Sequence, residues 1–221
     1  VTQINTEQIQ FSNPQTAADL LQGSGKVFVQ KSQLGGGSPM IRGFAANSVM
    51  IAVDGVRMNN AIFRSGNLQN DILDETEVLF GPGSVIYGSD ALGGVMNFRT
   101  RDPELSFSDS EPYIRTNALG RYSSANNERT MHFDANVGFE KWGLLSSLTY
   151  GVYDDLRSGS DFYERYPDWG KRREYIRVTE ETDRIIQNDD VTIQKYSGYE
   201  QLNLMQKIRF KPTSDWDIQY G

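Results

Sequence analysis

The side chains that could carry out catalysis or bind a metal are scarce in this chain. His132 is the only histidine, and there is no cysteine. Most zinc sites need a second histidine or several cysteines, and neither a G-x-S-x-G nucleophile pattern nor a His-Glu-x-x-His motif occurs in the sequence. Gly25-Lys26 resembles the end of a phosphate-binding loop, but that loop needs a glycine where Leu20 stands and a serine or threonine where Val27 stands. The sequence therefore predicts a protein that is not an enzyme and that uses no cofactor or catalytic metal.

The charged residues also limit the partners. The net charge is −7, and the 22 lysines and arginines are scattered along the chain instead of forming a basic stripe. Binding to nucleic acid needs a concentrated basic surface, so no nucleic-acid partner is expected. Acidic pairs occur at residues 154–155, 180–181 and 189–190. We interpret them as solvated charge, with a calcium site as the alternative.

The elements of the first half, residues 1–103, have mixed character. Asn13 and Pro14 fit the N-cap and first position of a helix that extends to Leu21. Residues 35–39, GGGSP, predict a loop. Asp54-Gly55 predicts a tight turn after a short apolar strand. The other predicted elements are strands at residues 27–29, 49–53, 77–80 and 95–99 and a helical turn at 84–87. Short buried strands with small helices predict an α+β domain.

The second half has the two-residue period of β-strands. From Thr130 to Phe139 the polar and apolar residues alternate over ten positions, the length that a tilted strand needs to cross a bilayer. Similar alternation marks residues 113–122, 144–152, 202–210 and 216–220. The connections at residues 140–143 and 211–215 are short, whereas residues 154–198 form a long one. Short turns at one end of the strands and long loops at the other end are typical of outer-membrane barrels. The alternation alone also fits a soluble β-sandwich.

His132 falls on the polar side of its strand, which would face the interior of a barrel. Two interpretations are open there. The side chain could coordinate an iron-bearing ligand such as haem, or it could be a polar residue bonded to a neighbouring domain or to water.

Two segments resemble one known family. Residues 78–100 contain the pattern GP-x-S-x-x-YGSDA-x-GG-V-x-N, and residues 40–60 contain an IRG…DG pair. Both are similar to the plug domain of TonB-dependent outer-membrane receptors, and they occur in the order and spacing of that family. The resemblance implies a plug domain at residues 1–103, a linker at 104–111, and the first strands of a 22-stranded barrel at 112–221. It also implies an outer-membrane location in a Gram-negative bacterium.

The resemblance assigns roles to individual positions. Arg42, in the Ile41-Arg42-Gly43 strand, would be a buried arginine that pairs with acidic residues of the barrel wall. The other positions expected to dock the plug on the barrel are Asp54, Gly55, Gly81, Gly83, Gly88, Ser89 and Asp90. A second apical loop would contact the ligand through Asn59, Asn60, Phe63, Arg64 and Asn67. The long loop adds Phe162, Tyr163, Tyr166, Trp169 and Tyr175, which would either contact ligand or pack on other loops.

The function that the resemblance implies is import of a scarce nutrient, here an iron chelate or haem, with the plug gating the barrel. The partners would be outer-membrane lipid, the nutrient, and the TonB complex, which would act through a segment absent from this sequence. A non-transporting ligand-binding or signalling module of the same fold is the alternative. Two features depart from the family. Phe80 replaces a usual arginine or lysine, and only four strands and the start of a fifth are expected, which predicts a fragment of a longer receptor.

Overall fold

The computed structural model describes residues 2–33, 35–44, 48–58, 72–81, 84–88, 91–108, 111–179 and 182–221. They divide into two compact units. The first comprises residues 1–119, 132–149 and 202–221, and the second comprises residues 120–131 and 150–201. In chain order the elements are β1 (Thr2–Asn5), α1 (Thr6–Ser12), α2 (Ala17–Gly23), β2 (Phe28–Gln33), β3 (Gly36–Met40), β4 (Val49–Val53), β5 (Val56–Arg57), β6 (Leu73–Phe80), α3 (Ser84–Tyr87), β7 (Gly94–Thr100), β8 (Tyr113–Ser123), β9 (Glu128–Gly138), β10 (Trp142–Tyr153), β11 (Leu156–Arg157), β12 (Glu174–Arg177), β13 (Arg184–Gln187), β14 (Ile193–Gln194), β15 (Tyr199–Thr213) and β16 (Trp216–Tyr220).

The N-terminal domain, which we define as elements β1 to β7 with the three helices, contains a mixed sheet in the order β1-β6-β7-β4-β5. Strands β4 and β7 run parallel, and the other pairs are antiparallel. Leu21 from α2 packs with Ile51, Val78 and Phe98 from the sheet, and all four are buried. Burial of such side chains is worth about 1.5–3 kcal/mol each. The α+β class predicted from the sequence is confirmed.

The first helix was not predicted, and the helix start assigned to Asn13 is wrong. Asn5 caps α1 by accepting a hydrogen bond from the backbone amide of Gln8 at 3.0 Å. Asn13 is instead the C-cap of that helix, in the left-handed conformation with φ 41°. Thr16 caps α2 and accepts a hydrogen bond from the amide of Asp19 at 3.2 Å. Asparagine tolerates left-handed backbone, so the same residue type suits both ends of a helix.

The glycine-rich segment predicted to be a loop also differs. Residues Gly36–Met40 form strand β3, which pairs antiparallel with β2. Gly37 lies so close to Val29 that an added Cβ would overlap the valine side chain. Close backbone approach therefore explains this glycine better than loop flexibility does.

The strands after the N-terminal domain form a second sheet, in the order β16-β15-β10-β9-β8. The four alternating stretches and the start of a fifth that the sequence predicted are confirmed as strands. The last turn is shorter than predicted, because β15 extends to Thr213. Within the described residues, no helix is long and apolar enough to cross a bilayer.

This second sheet has an unusual division between its two faces. In the first unit, the apolar side chains are the exposed ones, including Phe133, Leu144, Leu148, Leu202 and Leu204. The polar residues that alternate with Phe133 and Leu148 are buried, and those that alternate with Leu202 and Leu204 are half-buried. A water-soluble sheet shows the opposite pattern, so the soluble β-sandwich alternative does not fit.

The second unit contains most of the predicted long loop, and that loop is more structured than expected. Strands β12 and β13 pair as one hairpin, and β11 pairs with β14. The rings of Tyr153 and Tyr199 stack with centroids 4.4 Å apart. Short strand pairs and aromatic contacts of this kind give a long connection a defined shape.

Candidate functional site

The buried side of the second sheet is the most distinctive surface in the first unit. We call it the polar face, and it consists of His132, Asp134, Asn136, Ser147, Thr149 and Lys207. Each of these side chains belongs to a residue that is at most 8% exposed; Asp134 is 1% exposed and Lys207 is 7% exposed. Buried polar groups need hydrogen-bond partners, and buried charges need countercharges. Most of those partners come from the N-terminal domain and from the segment that follows it.

Lys207 joins β15 to the N-terminal domain. Its ammonium lies 3.0 Å from a carboxylate oxygen of Asp54 and 3.2 Å from one of Asp102, and it donates to the carbonyl oxygen of Thr100 at 3.3 Å. Asp54 also accepts hydrogen bonds from the amide and the hydroxyl of Thr100 at 2.8 and 2.6 Å. One lysine therefore holds both the turn after β4 and the end of β7.

The position of Asp54 depends on the turn that the sequence predicted. Asp54 has φ 49° and Gly55 has φ 79°, so both lie in the left-handed region. These two residues connect β4 to β5, and the Asp54 amide donates to the Phe98 carbonyl at 2.9 Å. An Asp-Gly pair adopts two consecutive left-handed conformations at low cost, and it directs the aspartate side chain out of the sheet. The prediction of a tight turn here is confirmed.

Asp134 is the centre of a second group of contacts. One of its oxygens accepts from the Arg101 guanidinium at 2.7 Å, and the other accepts from the Asn117 amide at 2.9 Å. His132 Nε2 lies 3.0 Å from the oxygen that binds Arg101, and His132 Nδ1 lies 2.6 Å from the hydroxyl of Thr149. Both ring nitrogens of His132 therefore have protein partners. This arrangement supports the interpretation of His132 as a polar bonding residue, because ligation of haem would require one of these contacts to break.

The six residues after β7 run along the polar face. We call residues 101–106 the exit strap. Its Glu104 is bound through the backbone, since the Glu104 amide donates to Asn136 Oδ1 at 2.8 Å and Asn136 Nδ2 donates to the Glu104 carbonyl at 3.0 Å. Arg115 pairs with the Glu104 side chain at 2.9 Å. The Ser106 amide donates to the Phe139 carbonyl at 3.1 Å. The strap thus has contacts on β8, β9 and the turn after β9.

A cavity of about 440 Å³ lies beside the Asp134 contacts. Its wall includes Thr6, Ile9, Arg101, Asn117, His132 and Asp134. It is large enough to hold several water molecules, and its polar groups could bind them. Water bound there could bridge polar groups of the two sides.

The predicted docking residues are only partly brought to this interface. Asp54 and Gly55 lie there. Arg42 is exposed, with φ 51°, and its pairing with acidic residues of the barrel wall stays a prediction. Gly81 and Gly88 have φ values of 103° and 89°, which only glycine adopts readily. Gly83, Ser89 and Asp90 lie outside the described residues.

The predicted ligand contacts Asn59, Asn60, Phe63, Arg64 and Asn67 all lie outside the described residues as well. The residues that sequence reasoning missed are Arg101, Asp102, Asn136 and Lys207. Alternation did place Asn136 and Lys207 on the inward side of their strands. The sequence carried no signal of which partner each of them would meet.

The second unit has its own polar features. A cavity of about 780 Å³ is lined by residues that include Asn127, Asp155, Arg157, Lys195 and Glu200. Glu128 is fully buried and accepts from Arg121 Nε at 2.7 Å and from the Thr130 hydroxyl at 2.8 Å. No group of three or more acidic or histidine side chains able to hold a metal occurs among the residues that the structure describes.

The loop aromatics of the second unit are partly packed and partly exposed. Tyr163 and Tyr166 have ring centroids 6.1 Å apart, and the Lys171 ammonium lies 4.8 Å from the centre of the Phe162 ring. Tyr175 contacts Tyr196 edge to face at 5.6 Å. Trp169 is 80% exposed. Their role in ligand contact stays a prediction.

One acidic residue of this loop has a perturbed titration. The pKa of Asp190 is lowered, first by hydrogen bonds from the hydroxyl and the amide of Thr192 and then by the nearby charge of Arg157. The Thr192 bonds measure 2.6 and 2.9 Å. Asp190 therefore forms hydrogen bonds that stabilise the structure of the loop, and the interpretation as solvated charge does not describe it fully.

Comparisons with known proteins agree with this arrangement. The family model "TonB-dependent Receptor Plug Domain" matches residues 1–95. The chain is 33% identical over 209 residues to the vitamin B12 transporter BtuB of Vibrio vulnificus (strain CMCP6), covering 79% of this chain and 34% of the relative. It is also 44% identical over 64 residues to the heme/hemopexin utilization protein C of Haemophilus influenzae (strain 86-028NP). That match covers 28% of this chain and 9% of the relative.

Among solved structures, the copper transporter OprC matches with a TM-score of 0.70 and 18% sequence identity. That match covers 96% of this chain and 28% of the other, and it shows likeness of fold. The chain spans about a third or less of the length of these proteins. Their names describe transport or nutrient utilization and not catalysis.

Proposed function

Because the chain belongs to the TonB-dependent receptors and carries a plug domain followed by the first strands of an open barrel, we propose that it forms part of an energised importer of a scarce nutrient. The plug would close the barrel and open it when force arrives from the TonB complex. Receptors of this family are outer-membrane proteins of Gram-negative bacteria, and we propose the same location for this one. The exposed apolar side of its second sheet would face lipid.

The observation that carries this proposal is the polar face and its contacts with the N-terminal domain. A permanent core would be apolar, as it is inside the N-terminal domain itself. Here the interface between the polar face and the residues packed on it consists of ion pairs and hydrogen bonds beside a polar cavity. Water can replace such contacts when the plug moves, so the interface can separate and re-form. Within it, Asp54 and Gly55 are proposed as docking residues.

We propose an iron complex, either haem or a siderophore, as the nutrient. The relative from Haemophilus is named for heme and hemopexin utilization. Cobalamin is the second candidate, because the match to the vitamin B12 transporter extends over 79% of this chain. The residues proposed to touch the nutrient remain Asn59, Asn60, Phe63, Arg64 and Asn67.

Growth of a strain that lacks the full-length gene tests the nutrient. The strain would receive, in separate cultures, ferric siderophores, haem or cobalamin as the only source of iron or of the vitamin. We expect loss of growth on an iron complex and recovery when the gene is restored. Loss on cobalamin alone would favour the second candidate, and normal growth on every source would contradict the import function.

A further inference from the structure

We propose that the exit strap stays bound to the strands when the plug is remodelled, so that the movable part of the plug ends at Thr100. This inference rests on the proposed gating function and adds a boundary to it. Sequence analysis divides the strap between plug and linker, with a boundary after residue 103. Most of its contacts place it with the strands instead, although the Arg101 amide also donates to the carbonyl of Ile72, directly before β6, at 3.0 Å.

Every residue of the strap contacts the second sheet or the turn between β9 and β10. Arg101 and Asp102 do so through ion pairs with Asp134 and Lys207. Further along, the Pro103 carbonyl accepts from Arg209 at 3.3 Å. Residues 104 and 106 are held through their backbone groups, as described above. The bond from Ser106 to Phe139 joins two backbone groups, and the bonds at residues 103 and 104 join strap backbone to side chains of the sheet. Several such bonds in succession must break together for the strap to leave.

Two glycines of the second sheet let the strap lie close to it. An added Cβ at Gly138 would overlap the carbonyl oxygen of Glu104. An added Cβ at Gly143 would lie 3.0 Å from Leu105 Cδ2 and 3.1 Å from Pro103 Cβ. Glycine is the residue that permits such close approach of two backbones. The sheet is therefore shaped to receive the strap.

The N-terminal domain is bound to the second sheet by weaker contacts than the exit strap is. Lys207 reaches Asp54 and Thr100 through a single ammonium, and the Asp54 side chain is 34% exposed. Strand β1 is an edge strand that pairs with β6 over four residues, from Thr2 to Asn5. Force applied to the N-terminus would break the hydrogen bonds between β1 and β6 one residue at a time. Force would thus open the domain before it reached the strap.

Engineered disulfides test the boundary, because the chain contains no cysteine of its own. The strap disulfide is Ser106→Cys with Phe139→Cys, at two residues joined by a backbone hydrogen bond. The matched control lies inside the N-terminal domain and is Gln3→Cys with Glu77→Cys, at register partners of β1 and β6. Register partners of antiparallel strands have the Cα separation that a disulfide needs, and formation of each disulfide is checked by mass spectrometry before the conductance is measured.

The measurement is the potassium chloride conductance of the full-length receptor in planar bilayers as urea is added. We expect the strap disulfide to leave the frequency of pore opening unchanged. The control disulfide should lower it roughly 100-fold, the scale expected when a cross-link stabilises the closed domain, and reductant should reverse the effect. Equal suppression by both disulfides would overturn the inference. Absence of urea-induced conductance in the unsubstituted receptor would refute the gating function itself and the boundary with it.

A labelling experiment gives a second test that needs no disulfide. Thr76→Cys and Pro103→Cys each place one cysteine at a buried position, the first in β6 and the second in the strap. In urea that opens the pore, we expect maleimide to label the cysteine at position 76 and to spare that at position 103. Labelling of both at the same rate would show that the strap leaves with the plug.

Discussion

Replacement of Lys207 by methionine should loosen the N-terminal domain without unfolding the strands. Methionine keeps most of the apolar stem of lysine and removes the ammonium, so packing changes little. The ammonium has three acceptors, at 3.0 Å on Asp54, 3.2 Å on Asp102 and 3.3 Å on Thr100. Removing it leaves two carboxylates near each other with no shared cation.

The free-energy cost of Lys207→Met depends on how far the charged groups are buried. A hydrogen bond to a charged group contributes about 1.5–3 kcal/mol in net terms when it is protected from water. The Lys207 side chain is 9% exposed, but those of Asp54 and Asp102 are 34% and 49% exposed, so water compensates part of the loss. We therefore expect a cost of about 2–3 kcal/mol, which corresponds to a shift of roughly 30- to 150-fold in the local opening equilibrium.

Hydrogen exchange of the full-length receptor, read by mass spectrometry, measures that equilibrium directly. Protection of the amides in β4 and β7 should fall by the factor given above in Lys207→Met. Lys141→Met is the matched control, because its side chain is exposed on the turn before β10. If the two variants exchange alike, Lys207 does not hold the domain and the reasoning fails.

Three further predictions concern single residues. Arg101→Ala should leave the carboxylate of Asp134 buried without its cation, at a cost of about 3–5 kcal/mol, and should loosen the exit strap, so that maleimide labels Pro103→Cys in urea; continued protection of that cysteine would contradict this. Arg121→Ala should likewise lower the thermal midpoint by stranding Glu128, and Glu128→Gln in the same chain should restore part of it. Since the pKa of Asp190 is lowered in the fold, its stabilising contribution is full above the ordinary aspartate pKa of about 3.9 and is lost as pH falls through the lower native value. A carboxyl titration by NMR should therefore show its midpoint below that of a model peptide, and a midpoint at or above it would contradict the argument.

The strands were predictable because their signal is local. A two-residue alternation identifies a strand with two different faces, whatever the strand pairs with. Asp54-Gly55 was predictable for a similar reason, since the turn needs left-handed backbone at both positions. In both cases neighbouring residues contain the whole signal.

The elements that were missed depend on distant partners. Gly36–Met40 has the composition of a loop, and it becomes a strand because β2 pairs with it. The contacts of Lys207 join residues more than 100 positions apart in the chain. No local pattern predicts which aspartate a buried lysine will meet. The sequence therefore predicted the inward side of the sheet but not the ion pairs formed there.

The role of Arg42 that the family resemblance implies stays a prediction. The motif around it is present, yet its side chain is exposed in a left-handed turn. Arg101 and Arg121 pair with the buried carboxylates of Asp134 and Glu128, and their side chains are 18% and 8% exposed. A countercharge and a shielded position decide which arginine becomes a structural cation.

The central claim is that the N-terminal domain closes a pore whose wall begins with β8. The most direct test compares the conductance of the full-length receptor in planar bilayers with that of a variant lacking residues 1–100, which retains the exit strap. We predict a closed receptor and a large, steady conductance in the variant. Equal conductance in the two proteins would contradict the account.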